Sequence, residues 1–249
     1  MAGRGTCHHF MNLYAYCLSD EATPDMVEGA AGVAGARARL IEHESIKAVV
    51  SDFQGEQARV TRENIFAHES IIHRVLARAT PLPFRFGAVV SAARLESYLS
   101  SNKAALSSQL SAVRNTVEMS VKIIWDADAI RRAAGDLAAS AQESEPEMSR
   151  PGMAFLAAKR REVTGDEALR RQAGEVARWL RRRLGETVRE SSERICPTRA
   201  MALAAAHLVE RARLEEYRAR LAQAREDRAG LRFLTSGPWP PYSFCELSS

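Results

Sequence analysis

His68-Glu69-Ser70-Ile71-Ile72-His73 places two imidazoles and a carboxylate within six residues, the side-chain types of a zinc hydrolase. The zinc motif needs its histidines four apart, so that both project from one helix face. Here they are five apart, and at about 100° per residue the second ring turns about 140° away from the first. The spacing therefore predicts structural hydrogen bonds instead of a metal. Cys7, His8 and His9 are also ligand types, but they stand in an opening stretch without periodicity, and a flexible terminus does not hold coordination geometry. The four cysteines are scattered with no CxxC pair, which predicts reduced thiols and neither a zinc site nor a disulfide framework. Gly29, Gly32 and Gly35 lack the lysine and the preceding strong strand of a phosphate loop. No nucleophile stands beside a base. The expectation is a protein that is not an enzyme and takes no cofactor or metal.

Two further features bear on nucleic acids. Phe84-Arg85-Phe86-Gly87 has the alternation of an aromatic strand on which bases stack. Residues 1–125 carry a formal charge of only +1, and no full RNA-binding signature accompanies the strand. The expectation is that Phe84 and Phe86 pack beneath a helix while Arg85 lies on the other face, with RNA binding kept as a remote alternative. The basic runs Lys159-Arg160-Arg161 and Arg181-Arg182-Arg183 lie in residues 159–190, whose ten Lys or Arg against six Asp or Glu hold the whole +4 of the chain. Consecutive helical residues point in different directions, and Glu162, Glu175 and Glu186 are near enough in sequence to pair locally, so a solvated face is predicted.

The tail Gly237-Pro238-Trp239-Pro240-Pro241-Tyr242-Ser243-Phe244 combines three prolines with three large aromatics. The prolines exclude a helix or a central strand. The aromatics gain most from burial and are rare in chains that stay unfolded, so the tail is predicted to dock. Trp239, Tyr242 and Phe244 are expected as fold and interface anchors, with Trp239→Ala costing a few kcal/mol.

The elements that must position these residues follow from hydropathy. Residues 11–18 read as a buried strand, and 40–41 with 46–50 as a hairpin around His43-Glu44. Residues 62–79 read as a helix capped by Thr61, residues 81–90 as a strand, 91–113 as a broken helix, and 117–125 as a half-buried strand. Strands around two helical segments predict a ferredoxin-like α+β sandwich. Residues 133–151 have linker composition. Beyond them, a helix over 155–190 and a second over 210–228 are predicted to pair as an antiparallel coiled coil, with short strands at 201–209 and 231–234. The expected organisation is a flexible leader over 1–10, an N-terminal domain over 11–132, a linker over 133–151 and a C-terminal α+β domain over 152–249. No apolar run approaches the roughly 18 residues of a membrane helix, and the first ten residues lack a signal-peptide core, which predicts a cytoplasmic protein that does not enter membranes.

Four segments together carry a resemblance: Ala67-His68-Glu69 followed by Pro81-Leu82-Pro83-Phe84-Arg85-Phe86-Gly87, then Val117-Glu118-Met119-Ser120-Val121-Lys122, Gly152-Met153-Ala154-Phe155, and the tail from Thr235 to Phe244. In order and spacing across residues 11–245, the chain resembles the gas vesicle proteins GvpF and GvpL. Cys245 departs from the pattern, where an aliphatic residue is usual. The resemblance implies a minor component needed for gas vesicle assembly, with an N-terminal ferredoxin-like domain and a C-terminal α+β domain built around a coiled coil. It also implies contact with the shell protein GvpA and other accessory Gvp proteins during nucleation. It supplies no catalytic residue. Exposed apolar surface on the unassembled shell protein calls for a partner that masks it, and this chain is expected to limit shell-protein aggregation as a monomer associated with gas vesicles. A structural place in the finished wall is the alternative.

Overall fold

The computed structural model describes residues 12–140, 151–245 and 247. The leader over 1–10 and the central part of the expected linker, residues 141–150, lie outside the described residues. The architecture is α+β with two antiparallel sheets. By contacts the chain divides into one unit of residues 1–118 with 238–249 and another of residues 119–237. The sequence reading placed the division within 133–151 instead, where α4 (Ala127–Ser140) occupies the first part.

In the first unit, β1 (Asn12–Ser19) pairs antiparallel with β3 (Ile46–Phe53), which pairs with β2 (Ala38–His43) across a tight turn at Glu44. Two short strands, β4 (Leu82–Pro83) and β5 (Val89–Val90), add to the free edge of β1, giving the order β2-β3-β1-β4 with β5 also on β1. The continuous strand expected over 81–90 is thus broken. Pro81 and Pro83 lack donors, and Gly87 takes a φ of +95°, so residues 85–87 bulge away between the Phe84 amide, which donates to the Tyr16 carbonyl, and the Ala88 carbonyl, which accepts from the Ala15 amide.

The short α1 (Pro24–Val27) and α2 (Arg62–Leu76) follow β1 and β3. Thr61 caps α2, its Oγ1 accepting from the Asn64 amide at 3.2 Å. Ile71, Ile72 and Val75 of α2 bury against Tyr14, Tyr16, Val49 and Phe53. The helix α3 (Ala92–Val113), capped by Ser91, is continuous and not broken. Its many serines stay off the apolar stripe of Leu95, Leu99, Leu106 and Leu110, which packs outside the α2 cluster and covers the sheet a second time.

In the second unit, β6 (Thr116–Ile124), β7 (Glu190–Thr198), β8 (Met201–Glu210) and β9 (Arg232–Trp239) form a sheet in the order β7-β8-β6-β9. Alternate residues Met119, Val121 and Ile123 of β6 face a core shared with α5 (Pro151–Leu184) and α6 (Leu214–Asp227). The 34 residues of α5 span about 50 Å. The expected extension of this helix to residue 190 fails at Gly185, whose φ of +53° turns the chain. Thr187 Oγ1 and Arg220 both donate to the Leu184 carbonyl at 2.7 and 3.0 Å, closing the helix end. Residues 190–198 then form β7, a strand the sequence did not reveal. The arginine run also pairs differently from expectation: Arg181 donates to both oxygens of Glu193 on β7, and Arg183 meets Asp227 of α6, so the partners are tertiary and not helical neighbours.

Candidate interaction groove

Within the first unit, a series of backbone and side-chain bonds holds the tail. β9 ends at Trp239, and Pro240 and Pro241 are buried. The Tyr242 amide donates to the Pro240 carbonyl at 2.7 Å and the Phe244 amide to the Pro241 carbonyl at 3.1 Å, so the segment folds tightly on itself. Ser243 then clamps to Glu118, its amide donating to Oε2 at 2.7 Å and its hydroxyl to Oε1 at 2.8 Å. Glu118 is only 7% exposed, which makes both charge-assisted bonds strong. The Tyr242 hydroxyl donates to Glu69 Oε1 of α2 at 3.3 Å, while burial raises its pKa well above the ordinary phenol value.

This clamp is testable. Glu118→Ala leaves the Ser243 amide without its acceptor, costs about 2 kcal/mol, and exposes the aromatics at 239, 242 and 244 to chymotrypsin. Glu118→Gln is expected to hold the tail, because its carboxamide can accept from the amide and donate to the hydroxyl. Limited digestion read by mass spectrometry checks both, and an alanine variant cut no faster than the wild type refutes the clamp.

Between the tail and α2 lies a groove of about 560 Å³. Ile65, Phe66, Glu69, Ser70 and His73 line its helical wall, and Trp239 and Tyr242 the other. All seven belong to the same compact unit. Ile65 is 41% exposed, Phe66 60% and Trp239 36%. The Trp239 ring meets His73 edge-on, with centroids 5.5 Å apart. Arg62 lies over the Phe66 face at 5.4 Å.

The layer beneath the groove is polar at its centre. His68 is buried, with Nδ1 3.0 Å from the Tyr14 hydroxyl, which also accepts from the Gly87 amide at 2.9 Å. Burial pulls the imidazole down to about 4, against the weaker opposing pull of the Phe84 carbonyl, and pushes the Tyr14 phenol up to about 12. Phe86 packs on His68 and Tyr14, with centroids 5.7 and 6.1 Å away. His73 Nδ1 donates to the Glu69 carbonyl at 2.9 Å. The two histidines of α2 therefore diverge, one inward and one toward the groove. Among the described residues no cluster of three or more His, Cys, Asp or Glu could hold a metal.

The six residues singled out from the sequence do not converge on one place. Phe84 is buried, its amide donating to the Tyr16 carbonyl at 2.8 Å. Phe86 is half-buried in the aromatic layer, and Arg85 is exposed. Trp239 and Tyr242 share the groove, while half-buried Phe244 follows the clamp. At 36% exposure the Trp239 side chain is less deeply docked than an anchor whose loss costs a few kcal/mol, and it lines the groove. Ile65 and Phe66 were not among them, and Glu69 was weighed only as part of a metal motif. The available signal was that apolar residues of α2 extend beyond the stripe of Ile71, Ile72 and Val75.

Comparison with known proteins agrees with this architecture. The profile of the family described as "Gas vesicle synthesis protein GvpL/GvpF" matches residues 12–246. Gas vesicle protein F2 of Halobacterium salinarum is 28% identical over 241 residues, covering 95% of this chain and 93% of that protein. Gas vesicle protein L of a Streptomyces species is 27% identical over 257 residues, covering 94% and 93%. In fold, the crystal structure of the gas vesicle protein GvpF from an Anabaena species superposes with a TM-score of 0.81 at 20% identity, covering 96% of this chain and all of that one. No helix among the described residues is long and apolar enough to cross a membrane. The chain belongs to the GvpL/GvpF family of gas vesicle synthesis proteins and has a role in gas vesicle formation.

Proposed function

We propose that the chain acts during nucleation of the gas vesicle by binding the shell protein GvpA and other accessory gas vesicle proteins, and that it limits aggregation of the shell protein before the wall grows. The observation that carries this reading is the apolar groove, where three large hydrophobic side chains stay more than a third exposed on a framework held in place by the Glu118 clamp. Monomeric proteins keep such surface when a partner covers it. The chain works as a cytoplasmic monomer associated with the vesicle, and its affinity for the shell protein is modest, so that release accompanies wall growth.

A ferredoxin-like first unit is supported by the strand order β2-β3-β1-β4 with helices after β1 and β3. A coiled-coil character of the second unit is supported by the shared core of α5 and α6.

The test is co-expression of the shell protein with and without this chain. A higher soluble fraction in its presence is expected, and equal solubility refutes the chaperoning role. Retention on salt-washed vesicles at a fixed ratio to shell protein would assign the chain to the finished wall instead.

A further inference from the structure

We infer that the α2–tail groove takes the apolar face of one amphipathic helix that carries a Lys or Arg beside its apolar stripe, supplied by another gas vesicle protein. The source of the helix rests on the function proposed above; its chemistry rests on the groove alone.

Backbone accounting decides between a helix and a strand. A strand partner would need free amides and carbonyls on one wall. On the tail wall, Pro238, Pro240 and Pro241 have no N–H, and the amides of Tyr242, Ser243 and Phe244 are already bonded to the Pro240 carbonyl, Glu118 and the Pro241 carbonyl. On the other wall, α2 satisfies its amides internally. The groove thus offers side chains and no register of backbone donors, so its occupant must arrive with its own backbone satisfied. A helix meets that condition. From Ile65 to His73, α2 presents about 12 Å of wall, two helical turns, which matches apolar residues at i, i+3 or i+4, and i+7 of a helix laid alongside.

Charge selects among amphipathic helices. Among the described residues, Glu69 is the one carboxylate lining the groove; its side chain is 36% exposed, and the Tyr242 hydroxyl orients it. An occupant with a basic residue next to its apolar stripe pairs with Glu69, whereas an acidic residue there meets like charge. The walls are open at Ile65, Phe66 and Trp239, which suits a helix face better than an enclosed small molecule.

The test uses the full chain and peptides of about 15 residues tiling the shell protein and each accessory protein of the same gene cluster, with binding read by fluorescence polarisation. The expected binders have apolar residues at three- and four-residue spacing and a flanking Lys or Arg. Phe66→Ser and Trp239→Ala, both at exposed positions, should each weaken binding about tenfold with the melting temperature kept. Glu69→Gln should erase the preference for the basic peptide over its Lys→Glu version. Equal binding by a proline-interrupted peptide overturns the inference, as does insensitivity to Phe66→Ser. Self-association relieved by Phe66→Ser would make the groove an interface between copies, and Phe66-dependent binding to phosphatidylglycerol vesicles would make it a lipid site; either result overturns it too. The two readings separate cleanly. If these variants lose peptide binding while shell solubility is unaffected by the chain, the groove inference stands and the chaperoning function fails. If no peptide binds while the chain still solubilises shell protein, the reverse holds.

Discussion

Acidification from pH 6.5 to about 4 is expected to cost each compact unit about 3 kcal/mol of stability, because each holds one deeply buried imidazole uncharged. His68 lies among Tyr14, Tyr16 and Phe86 in the first unit. His207 lies 2.8 Å from the Tyr217 hydroxyl in the second, with the Glu193 carboxylate only partly offsetting the cost of burial. Burial brings both folded-state values down to about 4, from an ordinary value of 6.5. The unfolded chain therefore binds protons that the folded chain refuses. Stability is complete above pH 6.5, declines as the pH falls, and levels off below about 4. The part of this window above pH 5 lies clear of most carboxylate titrations, so the histidine contribution can be read there alone. Urea unfolding across pH 5 to 7, with the histidine proton resonances followed by NMR, measures the slope and both titrations. His68→Gln should remove the slope of the first unit and leave that of the second. A flat profile, or a slope undiminished in His68→Gln, refutes the assignment. Because His68 sits directly beneath the groove wall, the same acidification should weaken partner binding before global unfolding.

Gly32→Ala is the substitution with the largest expected single cost, about 3 kcal/mol or more. A Cβ at this position would lie 2.0 Å from the Tyr16 hydroxyl oxygen and 2.9 Å from its ring carbon. That hydroxyl cannot yield. It accepts from the Val33 amide at 2.8 Å, bonds Ser51 Oγ at 2.8 Å, and belongs to a fully buried ring packed against Tyr14 and His68. The loop around Gly32 also reaches α2, where the Ala34 amide donates to Asn64 Oδ1 at 3.2 Å, so the damage should extend to the groove. A double-mutant cycle identifies the cause. Tyr16→Phe alone loses the hydroxyl bonds and costs about 1 to 2 kcal/mol. In that background Gly32→Ala should cost markedly less, because the 2.0 Å approach is gone and only the milder ring contact remains. Strict additivity of the two substitutions, measured by urea denaturation, would show that the clash is not the cause.

These cases mark how far the chain could be read before its tertiary structure was known. The period of α2, its Thr61 cap, the β2-β3 hairpin and the alternation of β6 are local properties, written in residues within a few positions of one another, and the folded chain keeps them. The divergence of His68 and His73 was legible for the same reason, since helix geometry alone sets it. Family membership was legible because four separated motifs occur in the right order. Other features had no local signal. Gly32 looked like part of a glycine-rich stretch, and only the approach of Tyr16, sixteen residues earlier, makes it obligatory. β7 reads Glu-Ser-Ser-Glu-Arg because an edge strand needs few apolar residues, and its pairing with β8 supplies what its composition lacks. The groove depended most on tertiary structure. Its two walls are separated by 173 residues at the Glu69–Tyr242 bond, and no pattern in either segment encodes the other. The sequence by itself determined the elements, the family and the absence of helical zinc-ligand spacing, because each is set by short-range geometry or by motif order. Where the aromatic tail docks, which of its residues stay exposed, and that α2 turns an apolar face outward beside it were decided only when long-range packing brought those segments together.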